Sequence, residues 1–278
     1  MRLFLASAVL VATAGCVGVG PLTGRATEEW TKTYPLAPGG EVRIVNTNGK
    51  VQIDGVAGST VEVRAIKTVR ATTDEGARQM LSRITIKEDV RPELVSFETE
   101  RLGGIMIGVG FDVEYRVKAP KGATFTVRST NGVIALNGLG GKINASTTNG
   151  GVQAAEISGS MEARSTNGGV TADFASLGPG KISLGTTNGG VRLALPENAK
   201  ADVSASWTNG GFNATGVKLD VSEENRRHIA GTINGGGTPI ELRTTNGGIR
   251  VRSRAAEADG DDRKLRGERE LVDLKHRE

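Results

Sequence analysis

One short unit recurs along most of the chain: Thr-Asn-Gly, usually followed by a second Gly and then a branched or aromatic apolar residue. It reads T-N-G-K-V at Thr47 and T-N-G-V-I at Thr130. It returns as T-N-G-G-V at Thr148, Thr166 and Thr187, as T-N-G-G-F at Thr208 and as T-N-G-G-I at Thr245. A degenerate I-N-G-G-G begins at Ile233. The asparagines Asn131, Asn149, Asn167, Asn188, Asn209, Asn234 and Asn246 are spaced by 18, 18, 21, 21, 25 and 12 residues. A period near twenty marks a stacked-repeat architecture, in which each unit buries its apolar side against its neighbours.

Each unit has its own internal order. After N-G-G comes an alternating stretch such as Val152-Gln153-Ala154 or Val191-Arg192-Leu193-Ala194-Leu195. A second Gly-containing corner follows, as in Leu139-Gly140-Gly141, and then another alternating stretch such as Ile143-Asn144-Ala145. Alternation puts Val, Ala and Ile on one face and polar residues on the other. Asn-Gly is also the strongest short hairpin signal, so an antiparallel meander competes with a solenoid corner. The near-constancy of the whole unit, two corners included, favours stacked coils. In such a stack Asn48, Asn131, Asn149, Asn167, Asn188, Asn209, Asn234 and Asn246 would form a hydrogen-bonded ladder. The expected fold is all-β, a single-chain β-solenoid over residues 28–252, roughly 30 Å long at about 4.8 Å per coil.

The segment before the main array differs. Thr60–Ile66 alternates as a strand. T-T-D-E at Thr72–Glu75 is a capping-box pattern, and Ala77, Met80, Leu81 and Ile84 make one apolar face of a short helix over about residues 73–84. Strands are predicted at Ile84–Glu88, Leu94–Glu100, Phe111–Lys118 and Thr124–Arg128, with the helix capping the N-terminal end of the stack. Gly103–Gly110, G-G-I-M-I-G-V-G, reads as an irregular core strand or as an exposed apolar loop.

The N-terminal end reads as an export signal. Arg2 precedes a dozen apolar residues, too few to span a bilayer, and the stretch ends at T-A-G-C with the chain's single cysteine, Cys16. Residues 1–15 resemble a lipoprotein signal, with Cys16 lipidated and residues 16–27 a tether. Ordinary cleavage after Ala12-Thr13-Ala14, releasing a soluble periplasmic protein, is the rival. Val17 in place of Asp points to the outer membrane. At the other end, residues 253–278 are charged and poor in apolar residues, which suits a solvated tail better than a docking helix.

Composition narrows the chemistry. One Cys and two His, His228 and His276, leave no disulfide framework, no Cys-rich metal site and little for a His-based triad. No cofactor or metal is expected. The formal charge of +4 is a weak argument for anionic partners, and the aromatic–basic interleaving of a nucleic-acid groove is missing. Asp173, Asp202, Glu156 and Glu162 share no spacing that would align two of them as catalytic carboxylates. The longest repeat carries Glu223, Glu224, Arg226, Arg227 and His228, a surface insertion. Trp207 stands where other repeats have Thr or Ser before T-N-G, so it either plugs the end of a wider coil or offers a ring for a sugar. Trp207, Arg226 and Arg227 are the candidate ligand surface.

The signal, the T-T-D-E-G-A-R-Q-M-L-S-R-I segment, V-E-Y-R-V-K-A-P-K-G-A and the serial T-N-G-G-V units together resemble the bacterial putative-adhesin family of β-strand-repeat proteins of unknown function. The resemblance covers roughly Glu41–Arg252. It implies a β-solenoid in the cell envelope, with some relatives linked to envelope stress, and it supplies no catalytic residues. The expected function is a non-enzymatic envelope lipoprotein that binds or scaffolds, attached to the membrane through its lipid, with an envelope polymer or protein as partner. The alternative is a periplasmic polysaccharide-degrading β-helix enzyme.

Overall fold

The computed structural model describes residues 22–100 and 108–255. The chain opens with β1 (Gly24–Pro35) and a first coil of β2 (Glu41–Asn48) and β3 (Val51–Val56). Then come β4 (Thr60–Ala71), helix α1 (Asp74–Leu81), β5 (Ile86–Arg91), β6 (Leu94–Thr99) and β7 (Val109–Pro120). Four coils follow in series: β8 (Thr124–Asn131) with β9 (Ile134–Asn137), and β10 (Ile143–Asn149) with β11 (Val152–Ile157). The other two are β12 (Met161–Asn167) with β13 (Val170–Phe174), and β14 (Ile182–Asn188) with β15 (Val191–Leu195). β16 (Ala201–Asn209), β17 (Phe212–Thr215), the hairpin β18 (Leu219–Asn225) and β19 (His228–Ile233), then β20 (Thr238–Asn246) and β21 (Ile249–Ser253) complete it.

Every Thr-Asn-Gly unit is a corner between two sheets. Sheet A runs β1-β4-β7-β3-β9-β11-β13-β15-β21-β17, and sheet B runs β18-β19-β16-β20-β14-β12-β10-β8-β2-β6-β5. From β8 to β14 the pairing is parallel and strictly in register, Ile143 on Phe125, Met161 on Ile143 and Ile182 on Met161. The inward side chains are mostly small or aliphatic, as Val152, Val170 and Val191 show in sheet A. This explains how a chain with 4% aromatic residues closes a core: the two sheets face each other across a narrow interior.

The corners demand glycine for a steric reason. A Cβ on Gly168 would lie 2.0 Å from the carbonyl oxygen of Gly150, one coil below. Stacked backbones at the corner leave no space for a side chain.

Coils do not stack in the order of the sequence at either end. The first coil, β2/β3, lies between β6/β7 and β8/β9, and the last, β20/β21, lies between β14/β15 and β16/β17. Both of these coils are therefore held in the interior of the stack. The irregular spacings of 25 and 12 come from the β18–β19 hairpin inserted between β17 and β20, which is followed directly by Asn234. β19 runs antiparallel to β16, so Asn234 falls at the opposite edge of sheet B from the other asparagines. There it takes φ 51° and donates its Nδ2 to the carbonyls of Glu197 (3.1 Å) and Ala199 (2.9 Å). Asn234 is not a ladder residue, contrary to the sequence expectation.

Aromatics collect at the two ends. Phe97 meets Trp30, Tyr34 and Tyr115 at 5.8, 5.7 and 6.4 Å between ring centroids. There β1 and β4 pair antiparallel and α1 packs on them, while Glu88 of β5 accepts from Lys32 (2.7 Å) and Tyr34 (2.6 Å) of β1. At the other end Trp207 stacks on Phe212, and the β18–β19 hairpin extends sheet B as its edge.

Several boundaries differ from the sequence reading, among them the helix, which ends at Leu81 and not at residue 84, and β5, which spans Ile86–Arg91 and not Ile84–Glu88. β1 begins at Gly24, because Gly24–Thr27 pair with β4 residues Thr68–Ala71, so the tether does not reach Thr27. The helix N-cap is Thr73, whose hydroxyl accepts from Gly76 N–H, so Thr72 and Glu75 do not form the capping box. Ser253 belongs to β21 and not to the tail. Residues 1–21, the greater part of Gly103–Gly110 and residues 256–278 lie outside the described residues, Cys16 among them.

Candidate binding surface

The corner edge carries two columns, the outer one largely exposed and the inner one buried. In spatial order the asparagines run Asn48, Asn131, Asn149, Asn167, Asn188, Asn246 and Asn209. Each Nδ2 donates to the Oδ1 of the preceding member at 2.7–2.9 Å. Just inside, the hydroxyls of Thr147, Ser165, Thr186 and Thr244 donate to corner glycine carbonyls one coil away, at 2.7–3.0 Å. Their donors and acceptors are largely spent on one another. This edge is a structural spine and offers little to a ligand.

The outer face of sheet B is different. Its outward positions carry Arg, Glu, Ser, Thr, Asn and Gly across eight adjacent strands, most of them paired parallel. Three strands place a glutamate two residues before an arginine: Glu41 and Arg43 on β2, Glu162 and Arg164 on β12, Glu241 and Arg243 on β20. Arg43 donates to Glu41 at 2.9 Å and Arg164 to Glu162 at 2.9 Å, and Arg243 is bound to Glu241. Lys181, the residue before β14, also donates to Glu241, which holds that carboxyl below the usual range; the hydrogen bond from Lys181 is the largest cause, and Arg243 adds to it. Glu41 is also lowered: burial acts to raise it, and the hydrogen bonds from Arg43 and Thr126 outweigh burial.

Two grooves run over this face. One of about 630 Å³ is lined by Arg43, Arg128, Asn144, Ser146, Glu162 and Arg164. The other, of about 350 Å³, includes Ser146, Arg164, Gly185, Thr187 and Arg243 in its lining. Neither the Glu-x-Arg pairs nor Arg128 stood out in the sequence. The signal is an acid and an arginine two apart in the strand leading into T-N-G, whereas Glu162 reads in the sequence only as one of four carboxylates without a shared spacing.

The residues chosen from sequence are scattered. Trp207 is half-buried on the inward side of β16, so it closes the core instead of presenting a ring to solvent. Its backbone N–H donates to the carbonyl of Arg227 at 3.0 Å. Arg226 and Arg227 form the exposed two-residue turn of the β18–β19 hairpin, and His228 Nδ1 lies 3.3 Å from Ser206 Oγ. Of the four repeat carboxylates, Glu156 and Asp173 are brought together after all. Both bind Arg254, with Asp173 Oδ1 3.0 Å from its Nε. The coil exchange that carries the end of β21 alongside β15 delivers this arginine, which no repeat spacing could reveal. Shared by one guanidinium, the two acids fasten the end of the last strand. Asp202 accepts from Gly237 N–H at 3.2 Å, and no cluster that could hold a metal ion occurs among the described residues. Nor, among them, is any helix long and apolar enough to cross a membrane.

A family model described as Toastrack DUF4097 matches residues 39–252. No curated protein matches the chain. Among solved structures, a putative cell adhesion protein from Clostridium sporogenes is similar at 13% identity and a TM-score of 0.46, over 82% of this chain and 100% of that one. A putative adhesin from Bacteroides fragilis is similar at 8% identity and a TM-score of 0.32, over 81% and 97%.

Proposed function

The chain belongs to the Toastrack DUF4097 family, and from the surface its fold presents we propose that it is a non-enzymatic, adhesin-like binding module of the cell envelope. The observation that carries the reading is the outer face of sheet B, where polar and charged side chains repeat in register over stacked strands and two grooves run between them. A repeated surface on a rigid rod suits an extended polymer, because each added coil adds a contact without a new ordering cost. Anchorage through a lipid on Cys16 would hold the rod at the outer membrane, facing periplasm or surface. The stress-linked relatives suggested by the sequence add a role in the response to envelope damage.

A second reading, polysaccharide cleavage, has one observation in its favour: Glu156, Asp173 and Arg254 meet on sheet A. Both carboxylates are engaged in ion pairs there, whereas a general acid or base must reach the bond it works on.

One experiment separates the readings. The full-length protein is incubated with fractionated envelope polymers, and retention and new reducing ends are read from the same samples. Retention without cleavage is expected. Release of reducing ends that Glu156→Gln abolishes would replace binding with catalysis, and retention of no fraction would end the binding reading.

A further inference from the structure

One column on the outer face of sheet B follows a strict alternation that exists only in space. Through the strand registers it runs Arg128 (β8), Ser146 (β10), Arg164 (β12), Gly185 (β14), Arg243 (β20) and Ser206 (β16). In sequence order Gly185 would be followed by Ser206. The coil exchange inserts Arg243 between them and completes the pattern. Arginines therefore recur every second coil, roughly 9.6 Å apart along the rod. The two grooves lie over the intervening notches, one at Ser146 between Arg128 and Arg164, the other at Gly185 between Arg164 and Arg243.

Gly185 has no backbone reason to be glycine. A Cβ there would meet only the Arg243 carbonyl oxygen, at 3.9 Å, in ordinary contact, and its φ is not positive. This contrasts with the corner glycines, where a Cβ would strike backbone near 2 Å. Glycine inside a strand weakens it and often marks a bulge, a bend or the close approach of a ligand; β14 pairs regularly on both sides at Gly185, which leaves the last.

Resting on the binding reading above, we propose that sheet B binds an acidic glycan whose anionic sugars alternate with neutral ones. The anionic groups sit on Arg128, Arg164 and Arg243, and the chain lies across the Ser146 and Gly185 notches. Polyanions charged at every unit gain less, because their additional groups fall at the Ser146 and Gly185 levels, where the column has no arginine, and Glu162 and Glu241 offset the charge of Arg164 and Arg243. Nucleic acid fits poorly for that reason and for lack of exposed aromatic stacking on this face. A protein partner would find no aromatic anchor there, Val45 being the one larger apolar side chain in the lining of the two grooves.

The test titrates the full-length protein, in detergent micelles, with three oligosaccharide series of matched length. These are hyaluronan (one carboxylate per disaccharide), polygalacturonate (one per sugar) and chitin (neutral). Hyaluronan is expected to bind tightest, with affinity rising until three carboxylates are present and then levelling. Arg164→Gln should weaken it about tenfold, the loss of a charge-assisted hydrogen bond. Gly185→Thr should leave the melting temperature unchanged or raised, since a β-branched residue suits a strand, yet weaken hyaluronan at least as much. Equal binding of polygalacturonate or chitin, no binding of any series, or unchanged affinity in Gly185→Thr would overturn the proposal. Envelope polymers retained by the wild type and equally by both variants would sink this site while leaving the binding module standing.

Discussion

Asn246 donates its side-chain amide to Asn188 at 2.8 Å, across 58 residues of sequence, and Asn209 in turn donates to Asn246 at 2.8 Å. The ladder thus follows the spatial order of the coils and bridges the place where sequence order is broken. A member in mid-column makes two ladder bonds, and the last makes one. Asn167→Ala removes the bonds to Asn149 and from Asn188, and is expected to cost about 1–2 kcal/mol. Asn209→Ala should cost about half as much. Chemical denaturation of the two variants side by side checks the ratio, and equal losses would mean that the amides are better solvated than bonded.

Glycines at corners and in strands should respond oppositely to the same added methyl. Gly168→Ala drives a Cβ to 2.0 Å from a backbone carbonyl, where nothing flexible can yield. A loss of more than about 3 kcal/mol, or failure to fold, is expected. Gly185→Ala meets nothing closer than 3.9 Å and should gain about 0.5 kcal/mol, from reduced freedom of the unfolded chain. Melting curves of the pair decide it.

The parts legible in the sequence were those fixed by local repetition. Alternation in Ile143-Asn144-Ala145 and the recurring Asn-Gly pointed to stacked coils, and the apolar spacing of Ala77, Met80, Leu81 and Ile84 to α1. The coil exchange was not legible, because every coil carries the same inward pattern and the same corner. Any coil can in principle sit on any other, so local residues cannot declare their neighbour. Asn234 was misplaced for a related reason: its Asn-Gly matches the ladder units, but the strand before it runs in the opposite direction. The arginine column was hidden because Arg243 joins Arg128 and Arg164 only through that exchange.

Trp207 and Phe212 close the C-terminal end of the interior, with ring centroids 6.4 Å apart and planes 18° from parallel. Trp207→Ala should destabilise by about 2 kcal/mol, less than truncation of a fully buried aromatic, because the indole is only partly buried against the core. The damage should stay at this end. Hydrogen exchange is expected to quicken in β16–β19 and to remain unchanged in β8–β14, whose coils contact only their neighbours. Faster exchange throughout would show that the rod unfolds as one unit.

The N-terminal closure should be sensitive to acid through Glu88. Burial acts to raise this carboxyl, but hydrogen bonds from Lys32 and Tyr34 outweigh it and hold the folded value below the ordinary 4.5. A carboxyl depressed in the folded state stabilises the protein above its unfolded value, and that contribution is lost as pH falls through the folded one. Stability should therefore decline below about pH 4.5, with the β1–β5 contact failing as Glu88 takes up its proton. Glu88→Gln keeps a hydrogen-bonding side chain without the charge. It should lower the melting temperature at neutral pH and flatten this part of the decline. Melting curves collected from about pH 7 to about pH 3 measure both effects, and parallel profiles for the two proteins would assign the acid sensitivity to other carboxylates, Glu241 with its lysine partner first among them.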